Sequence, residues 1–235
     1  MEIIQSFYYS PNEQRQQEIE YTLTENLNKS FVNKIHLFIE DKDIEQFNGS
    51  QYASNTKINV VHHNSQPTYP ELFHYGCTLN NVICCICNSD IEFRINNDDL
   101  FLLNRLNDKR ELYLLTRHEH DLTKPQIDTY RGSHDAIVFH SNTFNKAIEN
   151  MNLSYINYIQ NTSGIEALLT IFFIEHITYK VTNPCYQIIL VHNHRSQVRL
   201  WNAVHKAPVG YTHPTNIGLP GVHNSHMIRP CTINN

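Results

Sequence analysis

Charge is scarce in this chain and widely scattered. Charged residues make up 17% of 235 positions, with 18 Lys plus Arg against 23 Asp plus Glu and a net charge of -5. No basic run provides the groove that a nucleic acid needs, so a DNA or RNA binder is disfavoured. No stretch reaches the roughly 18 consecutive apolar residues of a membrane span. The opening MEIIQSFYYS is acidic at residue 2 and lacks the basic segment that precedes the apolar core of a secretory leader. The chain therefore reads as soluble, not secreted and cytoplasmic. The six cysteines lack the spacing of a disulfide scaffold, and the crowding of Cys84, Cys85 and Cys87 suits reduced, buried thiols. Internal repeats and low-complexity linkers are also missing.

Apolar side chains, in contrast, are plentiful: 40% AVILMFWYC and 11% aromatic supply a core and exclude a disordered chain. The length fits one globular domain, expected over residues 1–200, with a loop-rich tail over 201–235 where Pro208, Gly210, Pro214, Gly218, Pro220, Gly221 and Pro230 fall without periodicity. The first forty residues read as strand, helix, strand. IIQSFYY is β-branched and aromatic, and Ser10-Pro11-Asn12-Glu13 has the form of a capping box with Ser10 at the N-cap. Ile19, Leu23 and Leu27 then recur every four residues, and Ile35, Leu37 and Ile39 share one side of a strand. Such a βαβ opening favours parallel pairing. Further strands are expected at 58–63, over the apolar run 82–93, at 111–117, 135–141 and 186–194, and helices at 67–79, 98–106 and 164–176. A turn is expected at Gly132. The fold class is α/β.

Open α/β sheets bind ligands at the carboxyl ends of their strands. Asp90 stands where the buried run 82–93 turns polar, and a carboxylate there can hold a divalent cation that grips a diphosphate, or can simply belong to an Asx turn closing the strand. His192 and His194 project from the same strand face as Ile188 and Leu190, where that face turns from apolar to polar, and neutral imidazole is a ligand for divalent metals. Arg195, Ser196 and Arg199 follow as a phosphate contact or a solvated turn. Glu166 opens the apolar helix after Gly164, where the helix dipole favours a charged carboxylate as either cap or general base. Asp135 is a second candidate base. His118 and His120 form a His-x-His without a complete tetrahedral set at recognised spacing, and a solvated loop is the simpler reading.

In order and spacing, several segments resemble a group of small glycosyltransferases with the GT-A fold found among large DNA viruses and bacteria. They are IIQSFYY with Arg15, KIHLFIE, Pro67-Thr68-Tyr69 with Phe73, Asn88-Ser89-Asp90-Ile91, Arg117, Ser133-His134-Asp135-Ala136, Gly164-Ile165-Glu166, Tyr179 through Pro184, and His192 through Ser196. The resemblance implies a Rossmann-like mixed sheet flanked by helices. It also implies a nucleotide-diphosphate sugar bound over Ser6, Phe7, Tyr8, Arg15, Thr68, Tyr69, Asn88, Ser89, Asp90 and Arg117. Asp90 becomes the working acid of an Asp-x-Asp motif whose first member is Asn88 here. Gln66, Cys77 and Glu166-Ala167 stand where that group usually has Arg, Asn and Asp-Asn.

Glycosyl transfer needs a cation for the leaving diphosphate and, if inverting, a carboxylate to take the acceptor proton. Asp90 with His192 or His194 would hold Mn2+ or Mg2+, and Glu166 or Asp135 would take the proton. The acceptor, a glycan, protein or lipid hydroxyl, is not legible, nor is the oligomeric state. Two other readings stand beside this one. One is an inactive sugar-nucleotide-binding protein. The other is a zinc-dependent hydrolase built on His118, His120, His192 and His194. If the source is viral, the expected location is the host cytoplasm.

Overall fold

The computed structural model describes residues 1–108, 110–119, 134–160, 162, 164–196, 198, 228 and 230–234. Gly132, Ser133, His120, Arg199 and nearly all of the expected tail lie outside these residues.

The opening is the expected βαβ unit. β1 (Glu2–Phe7) is followed by α1 (Glu13–Leu27) and β2 (Lys34–Glu40), and the strands pair in parallel with Ile3 opposite Ile35. The helix starts later than the Ser10 reading, however. Asn12 is the N-cap and its side chain accepts from the Arg15 N–H at 2.9 Å, while Ser10 N–H donates to Gln16 Oε1. Asparagine caps as well as serine does. Placed three residues before Arg15, Asn12 satisfies that orphan amide directly, and this sets the start of the arginine's helix.

Two short helices fall in stretches for which no helix was expected, α2 (Asp41–Asn48) and α5 (Ser141–Ile148). Between them lie β3 (Ile58–His63), α3 (Tyr69–Thr78), β4 (Ile83–Cys87), β5 (Ile91–Ile95), α4 (Phe101–Asp108), β6 (Glu111–Leu115), β7 (Arg117–Glu119) and β8 (Ala136–His140). The chain continues through α6 (Ile165–His176), β9 (Lys180–Thr182) and β10 (Ile188–His192).

The main sheet has the order β3-β2-β1-β4-β8-β6-β9. All pairings are parallel except those of β8, which runs against both β4 and β6. Six strands therefore end at one edge, and β8 begins there at Ala136 opposite Cys87 and Leu115. A second sheet, β5-β10-β7, stands beside that edge. Two runs expected as single strands are thus each two strands in different sheets. Residues 82–93 break at Asn88-Ser89-Asp90, and 111–117 break at Thr116.

Alternation along the strands builds two cores. Ile3, Leu37 and Cys85 pack with α1, α2, α4 and the small sheet, and their neighbours Ile4, Phe38 and Cys84 pack with α3, α5 and α6. On the second face Phe73, Phe139, Phe144 and Phe173 form an aromatic cluster, with Phe139 and Phe144 centroids 4.3 Å apart. All six cysteines are free thiols, and Cys84, Cys85 and Cys87 are buried in β4. No helix of the described residues is long and apolar enough to cross a membrane.

Candidate metal centre

The carboxyl edge of the main sheet is where the chemistry-bearing residues gather. After β4 the Asn88 carbonyl accepts from Ile91 N–H, and the turn so formed carries Asp90 into the gap between the two sheets. Asn26 of α1 fastens the far side, its amide donating to the Ile91 carbonyl at 2.9 Å and accepting from Phe93 N–H at 3.0 Å. The Asp90 carbonyl accepts from Asn193 N–H at 2.9 Å, which ties the end of β10 to the same turn.

Around the Asp90 carboxylate the groups are buried and mostly charged. Oδ2 lies 2.7 Å from Arg15 Nη2, 3.3 Å from His192 Nε2 and 3.7 Å from His194 Nδ1. Oδ1 is buried with no hydrogen-bond partner among the described residues. Burial would raise the Asp90 carboxyl, but the His192 imidazolium and the Arg15 guanidinium outweigh it and hold the group well below the usual carboxylate range. Burial likewise disfavours the His192 cation, and Asp90 with Glu119 overcomes this to push the ring up to about 9. His194 moves down, through burial and then the Arg15 charge, which favours its neutral form.

One carboxylate oxygen of Asp90 and one ring nitrogen each of His192 and His194 all lie within 4.8 Å of one another. A carboxylate with two imidazoles is a donor set suited to first-row divalent ions. The orphaned Oδ1 gives a cation a charged oxygen that no donor among the described residues claims, so the residues fit a metal. Ligation by His192 would require it to release a proton.

The charge pattern extends beyond the triad. Arg15 Nη1 lies 3.2 Å from Glu18, which also accepts from the Ser196 N–H and hydroxyl. His192 Nδ1 lies 3.5 Å from Glu119 Oε1, and that oxygen lies 3.5 Å from Arg117 Nε. Arg117 Nη1 then reaches Asp135 Oδ1 at 2.5 Å, and the Asp135 side chain is 0% exposed. Acids and cations alternate from Glu18 to Asp135 across both sheets. Arg117 therefore sits between two carboxylates, which is not the setting of a spare phosphate ligand.

The remaining expected residues divide. Tyr8 lies beside the Arg15 guanidinium. Ser89 is buried and Asn88 half-buried in the turn. Tyr69 is buried at the start of α3, and its hydroxyl is pushed well above its ordinary range by burial and then by the nearby Glu166 and Asp135. Glu166 occupies the first turn of α6, next to Gly164, whose φ of 85° is one that glycine tolerates. Phe7 is different: its ring is 1% exposed and packs edge-on against Tyr9 and Phe47, which leaves no side-chain surface for a nucleotide. Thr68 caps α3, with its N–H and hydroxyl both donating to Glu71 Oε2. Arg195 is exposed.

His118 is buried in β7, not in a solvated loop, because its Nε2 meets the Cys185 carbonyl at 2.7 Å. It does not join His192 and His194, so the four-histidine zinc set draws no support from the described residues.

Gln160 had no sequence signal. Its Oε1 accepts from Ser6 N–H and Oγ, at 3.2 and 2.7 Å, and its Nε2 donates to the Cys87 carbonyl at 3.0 Å. Gln66, in the expected arginine position, donates to the Gln160 carbonyl. A glutamine thus laces the ends of β1 and β4 and takes both Ser6 donors.

No protein family and no curated protein matches the chain by sequence. Solved structures do match by shape. S. aureus TarS 1-349 in complex with UDP-GlcNAc superposes with a TM-score of 0.52 over 85% of this chain at 10% identity. A second structure of TarS 1-349 and one in complex with UDP give 0.50 in each case, over 81% of this chain, at 11% and 10% identity. The chain spans about three-fifths of the length of the TarS 1-349 chain, 61% in the UDP-GlcNAc complex. The likeness is one of fold, and it agrees with the Rossmann-like mixed sheet of the GT-A type expected from the sequence.

Proposed function

We propose that the chain transfers a sugar from a nucleotide-diphosphate donor to an acceptor hydroxyl of a glycan, protein or lipid. Asp90, His192 and His194 would hold Mn2+ or Mg2+ against the diphosphate. The observation that carries this reading is the convergence of these three buried side chains at the carboxyl edge of the sheet, with Asp90 Oδ1 unclaimed among the described residues. Its support in shape is the fold shared with TarS, a protein crystallised with UDP-GlcNAc.

A bound cation would offset the negative charge that builds on the leaving diphosphate. The chain's own residues supply the rest. Arg15 holds Asp90 in place and keeps a permanent positive charge at the nucleotide end. The acceptor oxygen bonds to the anomeric carbon as the carbon–oxygen bond to the diphosphate breaks, and the acceptor proton passes to a carboxylate. Glu166 suits that task better than Asp135, because Asp135 is enclosed and ion-paired to Arg117 whereas Glu166 is only half-buried. A single displacement with one base inverts the anomeric centre.

The test is a thermal-shift screen of uridine, guanosine and thymidine diphosphates and their sugars, with and without Mn2+. A ligand at 100 times its Kd adds roughly 2.7 kcal/mol to the native state. At least one nucleotide is expected to raise Tm, and Mn2+ to enlarge the shift. A flat screen on folded protein sinks the proposal, and donor binding without turnover in the presence of acceptors replaces it with the inactive binding protein.

A further inference from the structure

The carboxylate behind His192 offers a deeper reading of the same centre. We propose that Glu119 is a positioning residue which holds the His192 ring so that Nε2 faces Asp90. The inference rests on the metal reading above. Its warrant begins in the register of the small sheet. His192 is the Cα partner of Ile91 on β5 and of Glu119 on β7, so the residue after Asp90, the imidazole and the acid form one row across three strands. The two ring nitrogens face opposite carboxylates. Nε2 is 3.3 Å from Asp90 Oδ2 and Nδ1 is 3.5 Å from Glu119 Oε1.

Burial gives that contact its weight. The His192 side chain is 7% exposed, and its Nδ1 has no hydrogen bond among the described residues, so Glu119 is the acid placed to stabilise it. A ligating histidine is ordinarily oriented by a carboxylate or carbonyl on its second nitrogen. Glu119 is itself steadied. Its Oε1 is 3.5 Å from Arg117 Nε, and Arg117 is anchored to the enclosed Asp135 carboxylate. In this arrangement Arg117 and Asp135 form the buttress of the imidazole, at one remove from the reacting atoms. Glu119 is 37% exposed, so changing it disturbs little packing.

Two measurements test the proposal on wild type, Glu119→Gln and Glu119→Ala. The first is titration with Mn2+ alone, read by the electron paramagnetic resonance of the free ion. Loss of an outer carboxylate of this kind typically weakens metal binding 10–100-fold. Glu119→Ala is expected to lose on the order of tenfold or more, and Glu119→Gln, which keeps an acceptor oxygen without the charge, is expected to fall between. The second uses metal-free protein with 15N-labelled histidine, the His192 ring signals being assigned from their loss in His192→Gln. Glu119→Ala should displace those signals.

Mn2+ affinities within twofold of wild type in both variants, or unmoved His192 ring signals, overturn the proposal. If wild type itself binds no Mn2+, the metal reading falls separately. A displaced ring signal then still upholds the Glu119 contact, and an unmoved one overturns it.

Discussion

Lowering the pH should weaken this protein through one buried imidazole, by an amount that can be worked out in advance. His134 stands beside the carboxyl edge, 4% exposed, with Nδ1 3.4 Å from Thr116 Oγ1 and Nε2 without a partner among the described residues. Burial pushes its pKa from the ordinary 6.5 down to about 4, although the neighbouring Asp135 pulls the other way. Its contribution is present in full above pH 6.5, where neither state binds the proton. As pH falls, the unfolded chain takes up a proton that the folded chain refuses, so stability drains away until the folded pKa near 4 is reached. With those two values the loss is about 2 kcal/mol between pH 7 and 5, and about 3 kcal/mol by pH 4. His36 and His140 are displaced in the same direction and His192 in the opposite one, so the total change in wild type is not set by His134 alone. Urea denaturation of wild type and His134→Gln at pH 7 and 5 isolates the term, because glutamine does not titrate. The variant should lose about 2 kcal/mol less over that interval, whatever its absolute stability. Equal losses in the two proteins would refute the reasoning.

Two further substitutions separate site from scaffold. Glu166→Gln is nearly isosteric, so it should lower the transfer rate roughly 10²-fold while changing stability by less than about 1 kcal/mol, as rate and melting curves on the same sample would show. Full activity with reduced stability would make Glu166 a helix-end charge and nothing more. Asn26→Ala strips the Ile91 carbonyl and the Phe93 N–H of their partners, and two buried orphans should cost about 3 kcal/mol in urea denaturation. A loss below about 0.5 kcal/mol would show that the Asp90 turn does not depend on that bracket.

The contrast between what the sequence disclosed and what it concealed has a physical pattern. Local signals were legible. The four-residue spacing of Ile19, Leu23 and Leu27 and the alternation of Ile35, Leu37 and Ile39 told helix from strand, and the apolar run 164–176 became a buried helix. Sheet membership was not legible, because β4 and the first three residues of β5 are all buried and nothing in the alternation marks where the chain changes sheets. The short α2 and α5 were hidden for a different reason: eight residues give little more than two turns of periodicity. At the site, His192 and His194 were legible because a period of two puts them on one face as it turns polar. Arg15 was named only through the family resemblance and its pairing with Asp90 was not legible, nor were Glu119 and Gln160, since each reaches its contact across a long separation, 75 residues for Arg15 to Asp90, that only the folded topology closes.

The central claim is that Asp90 and its two histidines form the cation-dependent seat of a nucleoside diphosphate. Isothermal titration of the best nucleoside diphosphate from the screen tests this most directly, with wild type in Mn2+, wild type in EDTA, and Asp90→Asn in Mn2+. The account predicts saturable binding in the first case only, with the variant shown to be folded by its melting transition. Equal binding by wild type and Asp90→Asn, or binding indifferent to EDTA, would contradict it.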